Sequence, residues 1–162
     1  MSLRITRFTA RHLRRILEIE ARVFPEDAYP REMFLELYQD CGSLFLLAHA
    51  GGNVAGYAVT CASKRKAELV SIAVDLPWRG TGIGSVLLQH TIQELTKAGI
   101  RRLDLTVRVG NRGAIAFYRR HGFETEGRIR RYYENGGDAF HMFLRLPPED
   151  AVEAQRARTR GR

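Results

Sequence analysis

Long apolar runs are missing from this sequence, and no stretch approaches the ~20 residues that a membrane-spanning helix needs. Cysteine is scarce: there are two in 162 residues. Cys41 and Cys61 stand in neither a CxxC nor a Cys/His cluster, which argues against a zinc site and for two ordinary reduced thiols. His12, His49, His90, His121 and His141 show no ligand spacing, so no metal is expected. No internal repeat is visible. Residues 1–20 carry charges throughout and do not read as a signal peptide. These absences lead to the expectation of a soluble, cytoplasmic protein. Acidic residues are in the minority, 18 against 26 Lys and Arg, for a formal net charge of +8. Such an excess attracts phosphates of any kind. It fits nucleic acid, a ribosomal target or an anionic cofactor, and charge alone does not choose among them.

What is present is enough apolar material, 44%, for one real core. Leu3 to Phe8 alternates as a strand, and Thr9 can cap a helix carrying Leu13, Ile16, Leu17 and Ile19 to Val23. Phe24 to Tyr29 breaks it, and Pro30 is placed to open a second helix through about Asp40. Ser43 to Ala50, Val54 to Ala62 and Glu68 to Val74 read as strands, the first two joined by a turn at Gly51-Gly52-Asn53. Gly82 to Ala98 is a helix with Gly99 as its C-cap, and Leu103 to Val107 is a strand. Asn111 caps a helix to about Arg120, and Phe123 to Tyr133 with Ala139 to Leu146 form a final hairpin. The order β-α-α-β-β-β-α-β-α-β-β predicts an α/β protein with a mixed, largely antiparallel sheet flanked by helices. Residues 1–146 are expected to form one domain, and 147–162, which lack an apolar face, a mobile tail.

Gly80, Gly82 and Gly84 lie between a strand and a helix. Glycine lets backbone N–H groups approach a ligand with no Cβ in the way. A helix start adds unpaired N–H groups and partial positive charge, and Arg79 adds a full charge. The loop suits a pyrophosphate. Gly84-Ser85 lacks the lysine of a P-loop. Ser85 stands where a dinucleotide fingerprint wants its third glycine or alanine, and Asp75 to Trp78 separate the glycines from the strand. A tight turn that binds nothing is the structural alternative.

Arg79-Gly80-Thr81-Gly82-Ile83-Gly84 matches Arg/Gln-x-x-Gly-x-Gly/Ala, and here the sequence resembles the GNAT superfamily of N-acetyltransferases. Asn111 to Phe123 resembles that family's second motif, Asn-x-x-Ala-x-x-Phe/Leu-Tyr-x-x-x-Gly-Phe. The resemblance covers about residues 2–146 and implies an acetyl-CoA-dependent enzyme. It implies that the pyrophosphate sits on Arg79, Gly80, Thr81, Gly82, Ile83, Gly84 and Ser85, and the pantetheine arm on the strand backbone at Ile72, Ala73 and Val74. Arg131 to Met142 looks like the Tyr-Tyr…Gly-x-Asp-Ala…Met hairpin of the N-terminal acetyltransferases, both ribosomal-protein alanine and peptide α-N enzymes. Phe24-Pro25 falls where those enzymes carry a substrate-lining loop.

Acetyl transfer to an amine needs an unprotonated nitrogen, a stabilised carbonyl oxygen and a proton for the departing thiolate. A backbone N–H near Val74 would polarise the carbonyl, as the resemblance implies. Tyr118 is the candidate acid, and Phe117 beside it is expected to take the core position. The fifth-strand position that carries a Glu or His in some relatives is Thr106, so Glu68 and, less favoured, Asp104 are the candidate bases. Asn111 is either a helix cap alone or a cap that also contacts the cofactor, and Tyr29, Tyr132 and Tyr133 join Phe24 as acceptor-binding candidates. The expected partner is a protein or peptide N-terminus, a ribosomal protein among them, with no membrane and no required nucleic acid. Acetylation of lysine, a polyamine or an aminoglycoside stays open, as does a basic nucleic-acid-binding module, which lacks any recognisable motif.

Overall fold

A computed structural model describes residues 2–160, and its elements follow the predicted order. Strand β1 spans Leu3–Arg7, helices α1 and α2 span Leu13–Val23 and Arg31–Cys41, and strands β2, β3 and β4 span Phe45–Ala50, Asn53–Ser63 and Lys66–Val74. Then come α3 (Ile83–Lys97), β5 (Arg102–Arg108), α4 (Arg112–Arg120), β6 (Glu124–Ile129), β7 (Ala139–Arg145) and α5 (Glu149–Arg160). The pairs β1–β2, β2–β3, β5–β7 and β6–β7 are antiparallel, and β4–β5 is parallel. The expected α/β class with a largely antiparallel sheet is what forms. No helix among the described residues is long and apolar enough to cross a membrane. The chain divides into two compact units, one holding the described residues through Cys61 together with Leu69–Glu94, the other Ala62–Glu68 and everything described from Leu95 onward.

In the first unit the strands run in the order β1-β2-β3-β4. Leu13, Ile16 and Ile19 put the apolar stripe of α1 against Phe34 and Leu37 of α2 and against Phe45, Leu47, Tyr57 and Val59 of β2 and β3. Phe8 stacks on Phe45 at 4.1 Å, and Phe34 meets Tyr57 edge-on at 5.8 Å. Each fully buried aliphatic or aromatic side chain here is worth about 1.5–3 kcal/mol. Gly56 is required by close approach, because a Cβ there would lie 2.7 Å from the Ala73 carbonyl oxygen of β4. Pro30 sits one residue ahead of α2, in an extended conformation, instead of inside its first turn.

The cysteines depart from expectation. Cys41, at the end of α2, and Cys61, in β3, form a disulfide with Cα atoms 5.2 Å apart. It closes a loop of 20 residues' separation, for which loop entropy alone predicts about 3 kcal/mol of stabilisation. Cysteines so far apart in sequence give no spacing signal. Only the packing of α2 beside β3 brings them together.

In the second unit the strands run β4-β5-β7-β6. Leu103, Leu105 and Val107 of β5 face the core, while Arg102, Asp104, Thr106 and Arg108 line the opposite face. Gly99, at φ +78°, and Gly122, at φ +92°, end α3 and α4 as predicted. The final hairpin is narrower than expected. β6 stops at Ile129, and residues 130–138 form a long connection in place of further strand. Glu149–Arg160 is helical, and every side chain described in it is exposed, in keeping with its lack of an apolar face.

Candidate active site

The glycine loop belongs to the first unit. At the end of β4, Asp75 is 1% exposed, and its backbone N–H donates to the Ala55 carbonyl at 2.8 Å. Its carboxylate accepts from the Leu76 N–H at 2.9 Å and pairs with Arg15 at 2.7 Å and Arg22 at 3.5 Å, both from α1. This ion triad, with Asp75 buried and the two arginines partly exposed, pins the start of the loop to α1 and, through the Ala55 bond, to β3. Past it, Leu76–Trp78 make one tight turn, and the Thr81 hydroxyl donates to the Trp78 carbonyl. Gly80 and Gly82 take φ values of +75° and +86°, and a Cβ added to either meets nothing within 4 Å. The protein itself would tolerate side chains there sterically, so the glycines serve conformation and an open approach to their N–H groups. Arg79, Gly80, Thr81 and Gly82 are exposed, Gly84 and Ser85 half-buried, and Ile83, 1% exposed, anchors the loop in the core. The first intrahelical bond, Val86 N–H to the Gly82 carbonyl, is 3.1 Å, and the N–H groups ahead of it point out of the helix start. This cradle fits a pyrophosphate. On β4, Ala73 faces the core, and Ile72 and Val74 are half-buried.

Phe24 and Tyr29 lie in the segment between α1 and α2. Both are half-buried against the first unit's core, and Tyr29 also meets Phe34 edge-on at 6.1 Å.

The other candidates fall in the second unit. β4 pairs with β5 over Lys66–Glu68, so exposed Glu68 stands opposite Asp104, on the sheet face that also carries Thr106. Asp104 is already engaged. Arg102 donates to it at 3.0 Å, and the His141 ring lies 2.7 Å away. Burial works against its charge, but these bonds prevail and hold the carboxyl below its ordinary range, which makes it a poor proton acceptor. Thr106 donates to the Tyr132 hydroxyl at 3.4 Å, and Tyr132 meets Tyr133 edge-on at 4.9 Å. The Arg108 guanidinium covers the Tyr133 ring at 4.1 Å. The connection bearing the two tyrosines is braced by Asp138, which accepts from the Arg131 N–H at 3.0 Å and from Arg128 at 2.8 Å.

Asn111 caps α4 by accepting from the Ala114 N–H at 3.2 Å. One helical position reverses expectation: Tyr118 is buried, at 8% exposure, whereas Phe117 is only half-buried. The Tyr118 ring packs against Phe123 at 5.5 Å. Burial, with the Tyr133 hydroxyl adding to it, pushes the Tyr118 phenol well above its usual range, so it stays protonated at any physiological pH. Sequence reasoning missed Glu20, which is 2% exposed and whose carboxyl burial pushes up to about 7 against the lowering effect of the Tyr29 N–H. Its signal was a charge at the fourth residue after Ile16, on the buried stripe of α1.

Residues 13–123 match the acetyltransferase (GNAT) family. An N-alpha-acetyltransferase of Sulfolobus acidocaldarius is 31% identical over 140 residues, 78% of this chain and 83% of the relative. Among solved structures, the ribosomal-protein-S18-alanine N-acetyltransferase of Escherichia coli aligns with a TM-score of 0.80 and 31% identity, covering 90% of this chain and 94% of that one. Ard1 of Thermoplasma volcanium shares the fold, with a TM-score of 0.86 at 24% identity over 91% of this chain and 99% of its own.

Proposed function

Because the chain belongs to the acetyltransferase (GNAT) family, and is therefore an acetyl-CoA-dependent N-acetyltransferase, we propose that its acceptor is the α-amine of a protein N-terminus. The observation that carries this reading is the occupant of the β5 face. Thr106, engaged with the Tyr132 hydroxyl, cannot titrate, and its neighbour Asp104 is held as a weak base by Arg102 and His141. A site without a strong base suits an amine that needs little deprotonation. An α-amine, with pKa 7.7–8.0, is about a tenth to a sixth neutral at pH 7, whereas a lysine near 10.4 is neutral about once in a few thousand molecules. The resulting handicap for lysine is roughly 3.5 kcal/mol. The names of the relatives, an N-alpha-acetyltransferase and a ribosomal-protein alanine N-acetyltransferase, support the same acceptor class.

In this reading Arg79, Gly80, Thr81, Gly82, Ile83, Gly84 and Ser85 hold the pyrophosphate of acetyl-CoA, with Asn111 contributing beside its cap. The β4 backbone at Ile72, Ala73 and Val74 holds the pantetheine arm. When bound, acetyl-CoA supplies the thioester that the amine attacks. Tyr118 would supply the proton that the departing sulfur needs, Glu68 would orient a water to take the proton from nitrogen, and the acceptor-lining candidates are Phe24 and Tyr29 in the first unit and Tyr132 and Tyr133 in the second. The test is competition. Peptides with a free N-terminus should react far faster than the same peptides with a blocked N-terminus and an internal lysine. Equal rates for the blocked lysine peptide would remove the α-amine reading in favour of a lysine or small-molecule amine acceptor.

A further inference from the structure

Glu20 is the one strongly buried carboxylate among the described residues that the proposed chemistry leaves unused and that no cation pairs. It sits in the last turn of α1, where Arg15 and Arg22 are committed to Asp75 and Glu18. Its partners are all neutral donors. Oε1 accepts the backbone N–H of Tyr29 at 3.2 Å, and Oε2 accepts the Tyr57 hydroxyl of β3. The Tyr57 oxygen lies 3.1 Å from the Ser71 hydroxyl of β4. A buried carboxylate without a cation is a liability for stability, and an apolar residue in its place would pack at less cost. Its placement points to a local task.

That task is visible in the chain path. α1 ends as the Phe24 N–H bonds the Glu20 carbonyl at 2.8 Å, and the Asp27 N–H turns back to the Phe24 carbonyl at 3.2 Å. The next backbone donor drawn inward is Tyr29, captured by the Glu20 side chain just before Pro30 starts α2. One residue thus fastens both ends of the Phe24–Tyr29 segment to α1, Phe24 by its backbone carbonyl and Tyr29 by its carboxyl, and the carboxyl reaches β3 and β4 through Tyr57 and Ser71. We propose that Glu20 is the positioning residue of the acceptor loop, holding Phe24 and Tyr29 in place to receive the acceptor. This rests on the reading of those two residues as acceptor-lining. The groups facing the carboxyl are the Tyr29 amide, the Tyr57 hydroxyl and, behind it, the Ser71 hydroxyl. Burial without a cation disfavours the charged carboxylate, so the docked loop favours the protonated carboxyl, and loop order falls as pH rises through neutrality.

The experiment is hydrogen exchange on the full chain combined with steady-state kinetics. In Glu20→Ala the Tyr29 amide should exchange about tenfold faster or more, while the β3 and β4 amides stay protected. KM for a free-N-terminus peptide should rise about tenfold, with acetyl-CoA affinity unchanged within twofold. Glu20→Gln, whose amide oxygen still accepts the Tyr29 N–H, should restore much of the protection and make Tyr29 exchange protection independent of the Glu20 titration between about pH 6 and 8, leaving in KM only the pH dependence of the peptide amine. If Glu20→Ala does not fold, Tyr57→Phe removes only the hydroxyl that orients the carboxyl and should show the same two effects in smaller measure. An unchanged Tyr29 exchange rate in the folded variant overturns the proposal, as does an unchanged peptide KM where the peptide is a substrate. If no peptide reacts yet Tyr29 exchange rises, the loop-holding role stands and the acceptor reading falls.

Discussion

Gly82 offers the cleanest separation of ligand binding from backbone effects. Its φ of +86° is unfavourable for any L side chain, while a Cβ built there meets no protein atom within 4 Å. Replacing it therefore brings backbone strain of about 1–2 kcal/mol and no steric clash within the protein. Gly99 is a matched control, with φ +78° and equally open surroundings at the C-cap of α3. Alanine at either site should lower Tm by about 2–8 °C, because in a chain of this size each kcal/mol shifts Tm by about 2–4 °C. Only at Gly82 does the new side chain enter the space through which a pyrophosphate reaches the loop N–H groups. Losing two charge-assisted hydrogen bonds, at about 1.5–3 kcal/mol each, weakens binding by a hundredfold or more. Calorimetry with acetyl-CoA should show Gly82→Val with affinity reduced at least a hundredfold, Gly82→Ala somewhat less affected, and Gly99→Ala at the parent value. Undiminished affinity in a folded Gly82→Val would remove the loop from the cofactor site. Equal losses at Gly82 and Gly99 would instead trace the effect to strain.

Tyr118→Phe keeps the ring packed on Phe123 and removes the proton donor, so kcat should fall about a hundredfold while acetyl-CoA affinity holds; a loss under threefold returns Tyr118 to a purely structural role. Glu68→Gln should depress kcat chiefly at low pH, where the amine is charged, and an unaltered pH profile would exclude Glu68 from proton transfer. Glu20 makes stability fall as pH rises. Its carboxyl titrates near 4.5 when exposed and near 7 in the fold, so between those values the folded chain holds more protons than the unfolded one. The decline should total about 3 kcal/mol from pH 4.5 to 7, and Glu20→Gln should abolish it in urea titrations taken across that range. A parent whose Glu20-dependent stability rises over the same interval would contradict the assigned direction.

Much of this protein was settled by short stretches of sequence acting on their own. The alternation of Leu103, Leu105 and Val107 with Asp104 and Thr106 decides which face of β5 is buried, because successive residues of a strand point to opposite sides. The glycine cluster from Gly80 to Gly84, the Asn111 cap and the Gly99 stop act within one turn of backbone, so their conformations could be read from neighbours alone. Other features required the folded chain. Whether Tyr118 or Phe117 fills the core depends on how α4 lies against Phe123, and a rotation of one residue exchanges the two. The Cys41–Cys61 bond joins residues 20 positions apart, and Glu20 meets Tyr57 across 37. Gly56 is obligatory only because the Ala73 carbonyl passes beside it. Tyr132 reaches Thr106 only because residues 130–138 leave the strand early and are braced by Asp138. Hydrogen bonds, disulfides and close contacts between segments distant in sequence depend on distance in space, and periodicity along a chain carries no record of that distance.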